Sequence, residues 1–547
     1  MSWTLKSWSN TTDSTRCNSG TASDGDPHAH STITDVSLQE QTTLSTTIPE
    51  AVADEPYHVF GNRMKWVVVA QIGVAGTFSG LSSNIYFPCL KTITKEFNTS
   101  HQAASLTITS YQLVQGIAPL IWGTLSDKLG RRQVYVYSFT VYIVANIVLG
   151  FSPNLAILFA FRGLQAFGSA SVVSIGNGVI QDIALPAERG GFMSIYQALR
   201  MFSIAIGPVM GGALSHRWGF RSIFDTLAVL AGLVLVQIIL LLPETLRGVA
   251  GNGSVRVSGI KYKPLWNVMS KKQSDLADPK EVVKPEIKLR DFWEPLNMLG
   301  EMDTLLNVLF GGVVYSMWSM MTGTTTMLLA ERFDLNELHI GFAYLPNGIG
   351  TCVGSALAGW LMDRDYKFTE AIYKDTHGMS DGYNISPKAI PSDFPIEKAR
   401  FRHVFWITGL LAVFMALYGA AFWELPITSR REWMAIPLIL QFFIAGASSM
   451  IFAINSTLIT DLHPGKGAGA TAINNLARCT MSAGAVPLAH YMIKRLKTMP
   501  TFFVLAAVVI FCMPLAIISR VLGMKWRRKR MRKIEDLQSE SRRVTEA

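Results

Sequence analysis

About twelve apolar runs fill most of this chain, each long enough to cross a bilayer core, which takes roughly 20 residues of helix. They begin near Val67, Ala104, Val134, Leu155, Gly191, Phe224, Thr304, Ile340, Val404, Trp433, Ala468 and Thr501. In hydrocarbon every backbone amide must be bonded within its own segment, so such runs fold as helices. Six lie on each side of a hydrophilic stretch, residues 245–303. The reading is an all-α membrane protein with twelve transmembrane helices.

The charge pattern orients them. The chain is 49% hydrophobic and 16% charged with a net charge of +10, but its Lys and Arg cluster in the links and tail, not along one groove-like stripe. Charge here reports topology, and no nucleic-acid partner is expected. Arg63 and Lys65 precede the first span, residues 245–303 carry ten basic residues from Arg247 to Arg290, and the tail runs Lys525, Arg527, Arg528, Lys529, Arg530, Arg532, Lys533. All three belong in the cytoplasm. Residues 1–62, rich in Ser, Thr, Asp and Gly, are expected to be a disordered cytoplasmic tail without a signal peptide, so that the first span acts as the insertion signal. Residues 63–244 and 304–523 are the two six-helix units, 245–303 a cytoplasmic loop and 524–547 a basic tail. The five cysteines are scattered without ligand spacing, so neither metal, cofactor nor disulfide framework is expected.

Between the second and third runs stands Gly123-Thr-Leu-Ser-Asp127-Lys-Leu-Gly130-Arg131-Arg132. Gly123 lets two helix ends approach, Asp127 suits a helix end or an Arg partner, and the basic pair holds the loop inside. A degraded copy, Gly359-Trp-Leu-Met-Asp363-Arg364-Asp365, closes span eight at the equivalent place in the second half. This loop resembles the signature between spans two and three of the major facilitator superfamily. The resemblance and the duplication imply two six-helix bundles rocking about a central site. Gly123, Asp127, Gly130, Arg131, Arg132, Asp363 and Arg364 are then candidates for a conformational latch.

Further segments are similar to fungal twelve-span drug:proton antiporters, in the quinidine-resistance and weak-acid or polyamine exporter branch. Span four holds Arg162-Gly-Leu-Gln165-Ala-Phe-Gly168, with Ala166 where the pattern has Gly. Span five holds Gly207-Pro208-Val-Met-Gly211-Gly212, close to an antiporter signature; residues four apart leave one helix face bare while Pro208 bends it. Leu81 to Pro88, Pro243-Glu244-Thr245, Tyr344 to Gly350, Asp461 to Lys466 and Asn474 to Cys479 complete the likeness, which covers about residues 67–521. It implies proton-driven export of a small organic compound (a drug, weak acid, polyamine or secondary metabolite) by a monomer in the plasma membrane. Asp225 departs from the pattern, which has an aromatic residue there; cation binding, proton carriage and snorkelling to extracellular water stay open.

Lipid-facing positions must be apolar, so polar and aromatic residues inside the spans are the candidates for the substrate and proton pathway. They are Asn84, Tyr111, Gln112, Gln115, Arg162, Gln165 and Gln197 in the first half and Tyr315, Trp318, Tyr344, Asn347, Asn455, Asn474 and Arg478 in the second. Structural amide bonds between helices remain an equal reading for each Asn and Gln. Asp182, then Asp461, Asp225 and His490, are the candidate proton carriers, since no Asp or Glu stands at the centre of a span. Asn98 is the one Asn-x-Ser/Thr site in a predicted extracellular link and the expected glycosylation site; those at Asn10, Asn252 and Asn384 are cytoplasmic. No hydrolase elbow, zinc motif or phosphate loop occurs, which argues against an enzyme or an ATP-driven pump. A proton-coupled importer and a non-transporting sensor of the same fold are the alternatives.

Overall fold

A computed structural model describes residues 60–184, 189–250, 289–378, 391, 393–423, 431–463 and 467–546. The expected tail before Phe60 and most of the central loop lie outside the described residues, as do Asn10, Asn252 and Asn384.

The first half is α1 (Asn62–Asn84), α2 (His101–Leu129), α3 (Arg131–Gly150), α4 (Leu155–Ile183), α5 (Arg189–Trp218) and α6 (Arg221–Leu241). The second is α7 (Met302–Phe333), α8 (Leu345–Thr376), α9 (Val404–Ala421), α10 (Ala435–Leu462), α11 (Gly467–Leu496) and α12 (Thr498–Phe511), which resumes after Cys512 as α13 (Met513–Glu546). Side chains start several of them. Ser100 accepts from the Ala103 N–H at 3.1 Å and Asn154 from the Ile157 N–H at 2.9 Å, each satisfying an orphan donor of the first turn.

The faces sort by solvent. On α6, Val229, Leu233, Val236 and Leu240 form an exposed stripe at helical spacing, while Ile223, Leu227, Val234 and Ile238 are buried. An apolar stripe facing out is the lipid contact of a spanning helix. Nine helical stretches among the described residues are long and apolar enough to cross a membrane by composition; α2, α8 and α11 are not among them. Their place explains this. Within each half the helices pack on one another, and the halves meet along two seams, α2 on α11 and α5 on both α8 and the short helix Glu337–Ala343. Helices that face protein on both sides need small and polar residues for close approach more than they need hydropathy.

The seams are tight from the outer end to mid-membrane. Thr92 Oγ1 donates to Glu337 Oε1 at 2.6 Å, Thr326 Oγ1 to the Phe87 carbonyl at 2.8 Å, and Phe87 stacks on Tyr344 at 5.9 Å. On the other seam Thr109 donates to the Ala483 carbonyl at 2.8 Å, Ser482 to Gln112 Oε1 at 2.9 Å, and Asn475 Nδ2 to the Gln115 carbonyl at 2.8 Å. Towards the cytoplasm α2, α4 and α11 diverge around a vestibule of about 440 Å³ that includes Gly123, Asp127, Gln181 and Gly467.

Candidate functional site

A cavity of about 90 Å³ lies between the halves, walled by Ser79, Ser83 and Asn84 of α1, Gln112 and Gln115 of α2, Arg200 of α5, Tyr315, Trp318 and Ser319 of α7 and Arg478 of α11. A more apolar lobe of about 60 Å³ shares Tyr315, Trp318 and Arg478 and extends to Phe452 and Ser448 of α10. Among the described residues no Asp or Glu lines either lobe.

The two arginines come from matching places in the repeat. α5 and α11 each have 30 residues, with an internal proline at Pro208 and Pro487. Arg200 and Arg478 each stand eleven residues after their helix's first residue, about 16 Å along the axis and near mid-bilayer. Each bundle thus sends one guanidinium into the shared cavity. Arg478 is held from two sides: its Nε and Nη2 donate to Asn475 Oδ1 at 3.0 and 2.6 Å, and its guanidinium lies 4.7 Å from the Tyr315 ring and 4.6 Å from that of Phe452. Because Asn475 also bonds the Gln115 carbonyl, it ties Arg478 to the opposite bundle.

Gln115 Nε2 donates to Ser79 Oγ at 3.2 Å, Asn84 Nδ2 to the Gly80 carbonyl at 2.7 Å, and Trp318 Nε1 to Asn347 Oδ1 at 3.0 Å. Asn474 and Asn455 are buried but line neither lobe, and both amide atoms of Asn455 lack a partner. Tyr344 sits behind the cavity in the outer seal. Arg162 is in the core of the first bundle, its guanidinium 4.2 Å from the Tyr86 ring and 4.4 Å from that of Tyr111. Its Nη1 donates to Gln165 Oε1 at 2.6 Å, and Gln165 passes a bond to Asn146 Oδ1 at 2.6 Å. Arg200, absent from the sequence candidates, had a signal of the kind that singled out Arg162: a charge deep inside an apolar run.

The signature glycines of α5 make room on two sides. A Cβ at Gly207 would lie 3.1 Å from Asn84 Cβ, one at Gly211 would collide with the Ile85 carbonyl of α1, and one at Gly212 with the Glu337 carbonyl of the other bundle. The segment closes the outer seam.

At the cytoplasmic end Arg131 pairs with Asp127 and, at 2.9 Å, with Asp182 of α4, and Nη1 donates to Ser126 Oγ at 2.7 Å. Glu244, just past α6, caps α3: its carboxylate accepts from the N–H groups of Arg131 at 2.8 Å, Arg132 at 3.2 Å, and Thr245 and Leu246 at 3.0 Å. Burial pushes its carboxyl above the ordinary glutamate range, against the pull of those four donors. Gly130, at φ 109°, brings the backbone against it. Lys128 pairs with Asp291 of the segment leading into α7, which ties the loop of the first half to the second.

The second half repeats the scheme in altered form. Arg400 Nε donates to Asp461 Oδ2 of α10 at 2.9 Å, the counterpart of Arg131 and Asp182. The buried acid on α8 is Asp365, 3.0 Å from His403 Nε2; Asp363 and Arg364 face outward, with Arg364 over the Trp360 ring at 5.7 Å. Asp225 is exposed at the outer end of α6, and His490 lines an outer vestibule with His101, Lys95, Lys494 and Asn98.

Residues 72–373 match the Major Facilitator Superfamily model. The chain is 42% identical over 491 residues to Citrate exporter 1 of Aspergillus niger, covering 90% of this chain and 92% of that protein. It is 32% identical to Quinidine resistance protein 1 of Saccharomyces cerevisiae, covering 83% and 82%. The human organic anion transporter MFSD10 shares the fold at 15% identity, with a TM-score of 0.53 over 83% of this chain and 99% of that one. Twelve helices in two bundles meeting at a central cavity, the loop that closes α2 and these relatives agree: the chain belongs to the major facilitator superfamily and is a membrane transporter, not an enzyme.

Proposed function

We propose that this transporter exports small organic anions carrying carboxylate groups, binding them between Arg200 and Arg478. The observation that carries this is the cavity itself: one guanidinium from each bundle and, among the described residues of its lining, no acid. On insertion scales an Arg at mid-bilayer costs at least about 2.5 kcal/mol, so two facing one cavity call for an anionic ligand. A guanidinium matches a carboxylate with two parallel N–H donors, and a substrate with separated carboxylates can engage both bundles at once. Its relative of 42% identity, named a citrate exporter, supports the same class.

The charge of such a substrate supplies its own drive. Each negative charge leaving an inside-negative cell gains about 2.3 kcal/mol per 100 mV. Of the candidate proton carriers, Asp182 and Asp461 are engaged with Arg131 and Arg400, Asp225 is exposed at the outer end of α6 and His490 lines the outer vestibule, all away from the cavity, which favours potential-driven export over antiport. The Arg131–Asp182 and Arg400–Asp461 pairs each brace the cytoplasmic end of one bundle, and the Lys128–Asp291 pair serves as the latch between them. The site of action is the plasma membrane, the working unit a monomer, and Asn98 the glycan acceptor.

Inside-out plasma-membrane vesicles test the reading. They should take up labelled citrate or a related di- or tricarboxylate with saturation, unaffected by excess quinidine. Uptake of quinidine with citrate inert would overturn it.

A further inference from the structure

Past the membrane end of α12 the chain runs on as α13, and its basic residues divide between two faces. Arg527 Nε lies 3.1 Å from Glu397 Oε1. Arg530 pairs with Glu301 and, at 3.2 Å, with Asp303, and donates to the Leu462 carbonyl at 3.1 Å. These two pin the helix to the second bundle. Lys525, Arg528, Lys529 and Arg532 follow the i, i+3, i+4, i+7 spacing of a single helix face and are all exposed. Among the described residues no carboxylate forms an ion pair with any of the four; Asp536, one turn on, ends the stripe.

Their depth is fixed by aromatic neighbours. Arg520 lies over the Phe405 ring at 5.2 Å, and the adjacent Trp406 is 48% exposed at the start of α9, as an interfacial anchor is. From that level α13 rises about 1.5 Å per residue, which carries positions 525–532 roughly 7–18 Å outward. The headgroup layer on one side is about 5–8 Å thick, and long basic side chains reach back into it.

We propose that this face binds anionic phospholipid headgroups of the cytoplasmic leaflet. Orientation of the protein needs positive charge inside but not on one stripe, whereas a row of two forked and two point cations that begins at headgroup height at Lys525 and reaches back towards it with long side chains suits phosphodiesters. The pairs made by Arg527 and Arg530 point the other four outward, so the lipid contact and the packing of the bundle use different residues of one helix.

The full-length protein, reconstituted in phosphatidylcholine nanodiscs with a minority of phosphatidylserine, should retain phosphatidylserine on native mass spectrometry, and added salt should release it. Replacing Lys525, Arg528, Lys529 and Arg532 by Gln should cut that preference roughly fivefold per charge. The milder pair Lys529→Gln and Arg532→Gln should give a partial loss and covers the case in which the fourfold variant does not assemble. Arg63→Gln with Arg290→Gln, which removes exposed cytoplasmic charge elsewhere, should change nothing. Unchanged retention in the variants of α13, or equal loss in the Arg63 and Arg290 control, would overturn the proposal.

Discussion

Gly130 at the start of α3 gives a sharp test of the cytoplasmic loop. Its φ of 109° with ψ of 148° lies where a side chain is strained, at a cost of about 1–3 kcal/mol. An added Cβ would also stand 2.5 Å from Glu244 Oε2 and 2.9 Å from its Cδ. The carboxylate must then leave the N–H groups of Arg131 and Arg132, losing a helix cap of about 0.5–2 kcal/mol. Gly130→Ala should therefore destabilise the protein by about 1.5–5 kcal/mol, a large share of a typical 5–15 kcal/mol fold. Gly359→Ala is the matched control, since nothing lies within 4 Å of its added Cβ, and a mid-helix Ala gains about 0.5–1 kcal/mol. Glu244→Ala combined with Gly130→Ala relieves the collision, so the double variant should lose less than the sum of the singles. The assay is the fraction surviving as a monodisperse species after graded heating in detergent. If Gly130→Ala survives as well as Gly359→Ala, or the double variant is additive, the capping account is wrong.

Asn475→Ala should raise the substrate KM about tenfold, the worth of a charge-assisted bond of about 1.5 kcal/mol, because Arg478 loses its anchor; a change in turnover alone would assign Asn475 to the seam and not to binding. Since the folded-state carboxyl of Glu244 is raised, the folded state holds its proton longer than the unfolded chain does, and stability falls as pH rises from about 4.3 through the raised value. Glu244→Gln should flatten that part of the stability profile, and an unchanged slope would contradict the assignment. Asn98 is exposed, so endoglycosidase treatment of protein from a eukaryotic host should shift the wild type and not Asn98→Gln; a shift that persists in the variant would place the glycan, and the outer face, elsewhere.

Much of the fold was legible because the bilayer leaves few options: long apolar runs must be helices, and the expected start of span three, Val134, falls within the first turn of α3. The duplicated loop at Asp127 and Asp363 carried the two-bundle reading. Sequence could not say which acid of the second copy turns inward, because α8 continues to Thr376 and aims Asp365, not Asp363, at His403. Candidate pathway residues were recognisable as polar groups in apolar runs, but that rule cannot separate a cavity from a bundle core. Gln112, Gln115, Asn84 and Arg478 reach the cavity, while Arg162 and Gln165 close a network inside the first bundle. The partners that decide this, such as Ser482 on Gln112, are hundreds of residues away and leave no local period. Arg200 was missed for another reason. It stands among Tyr, Gln, Ala and Leu in a helix already explained by its glycines, so its charge inside the run is easily passed over, and its place in the cavity opposite Arg478 gives it a role.

Efflux from proteoliposomes loaded with labelled citrate, with a potassium diffusion potential imposed through valinomycin, separates potential-driven anion export from the other readings. An inside-negative potential should drive citrate out without a pH gradient, the equilibrium ratio changing about 50-fold per charge per 100 mV. Arg200→Gln and Arg478→Gln should each weaken apparent affinity about 10- to 150-fold, the loss of about 1.5–3 kcal/mol of charge-assisted bonding. Citrate movement that ignores the potential and survives both substitutions, or movement only of organic cations, would contradict the account.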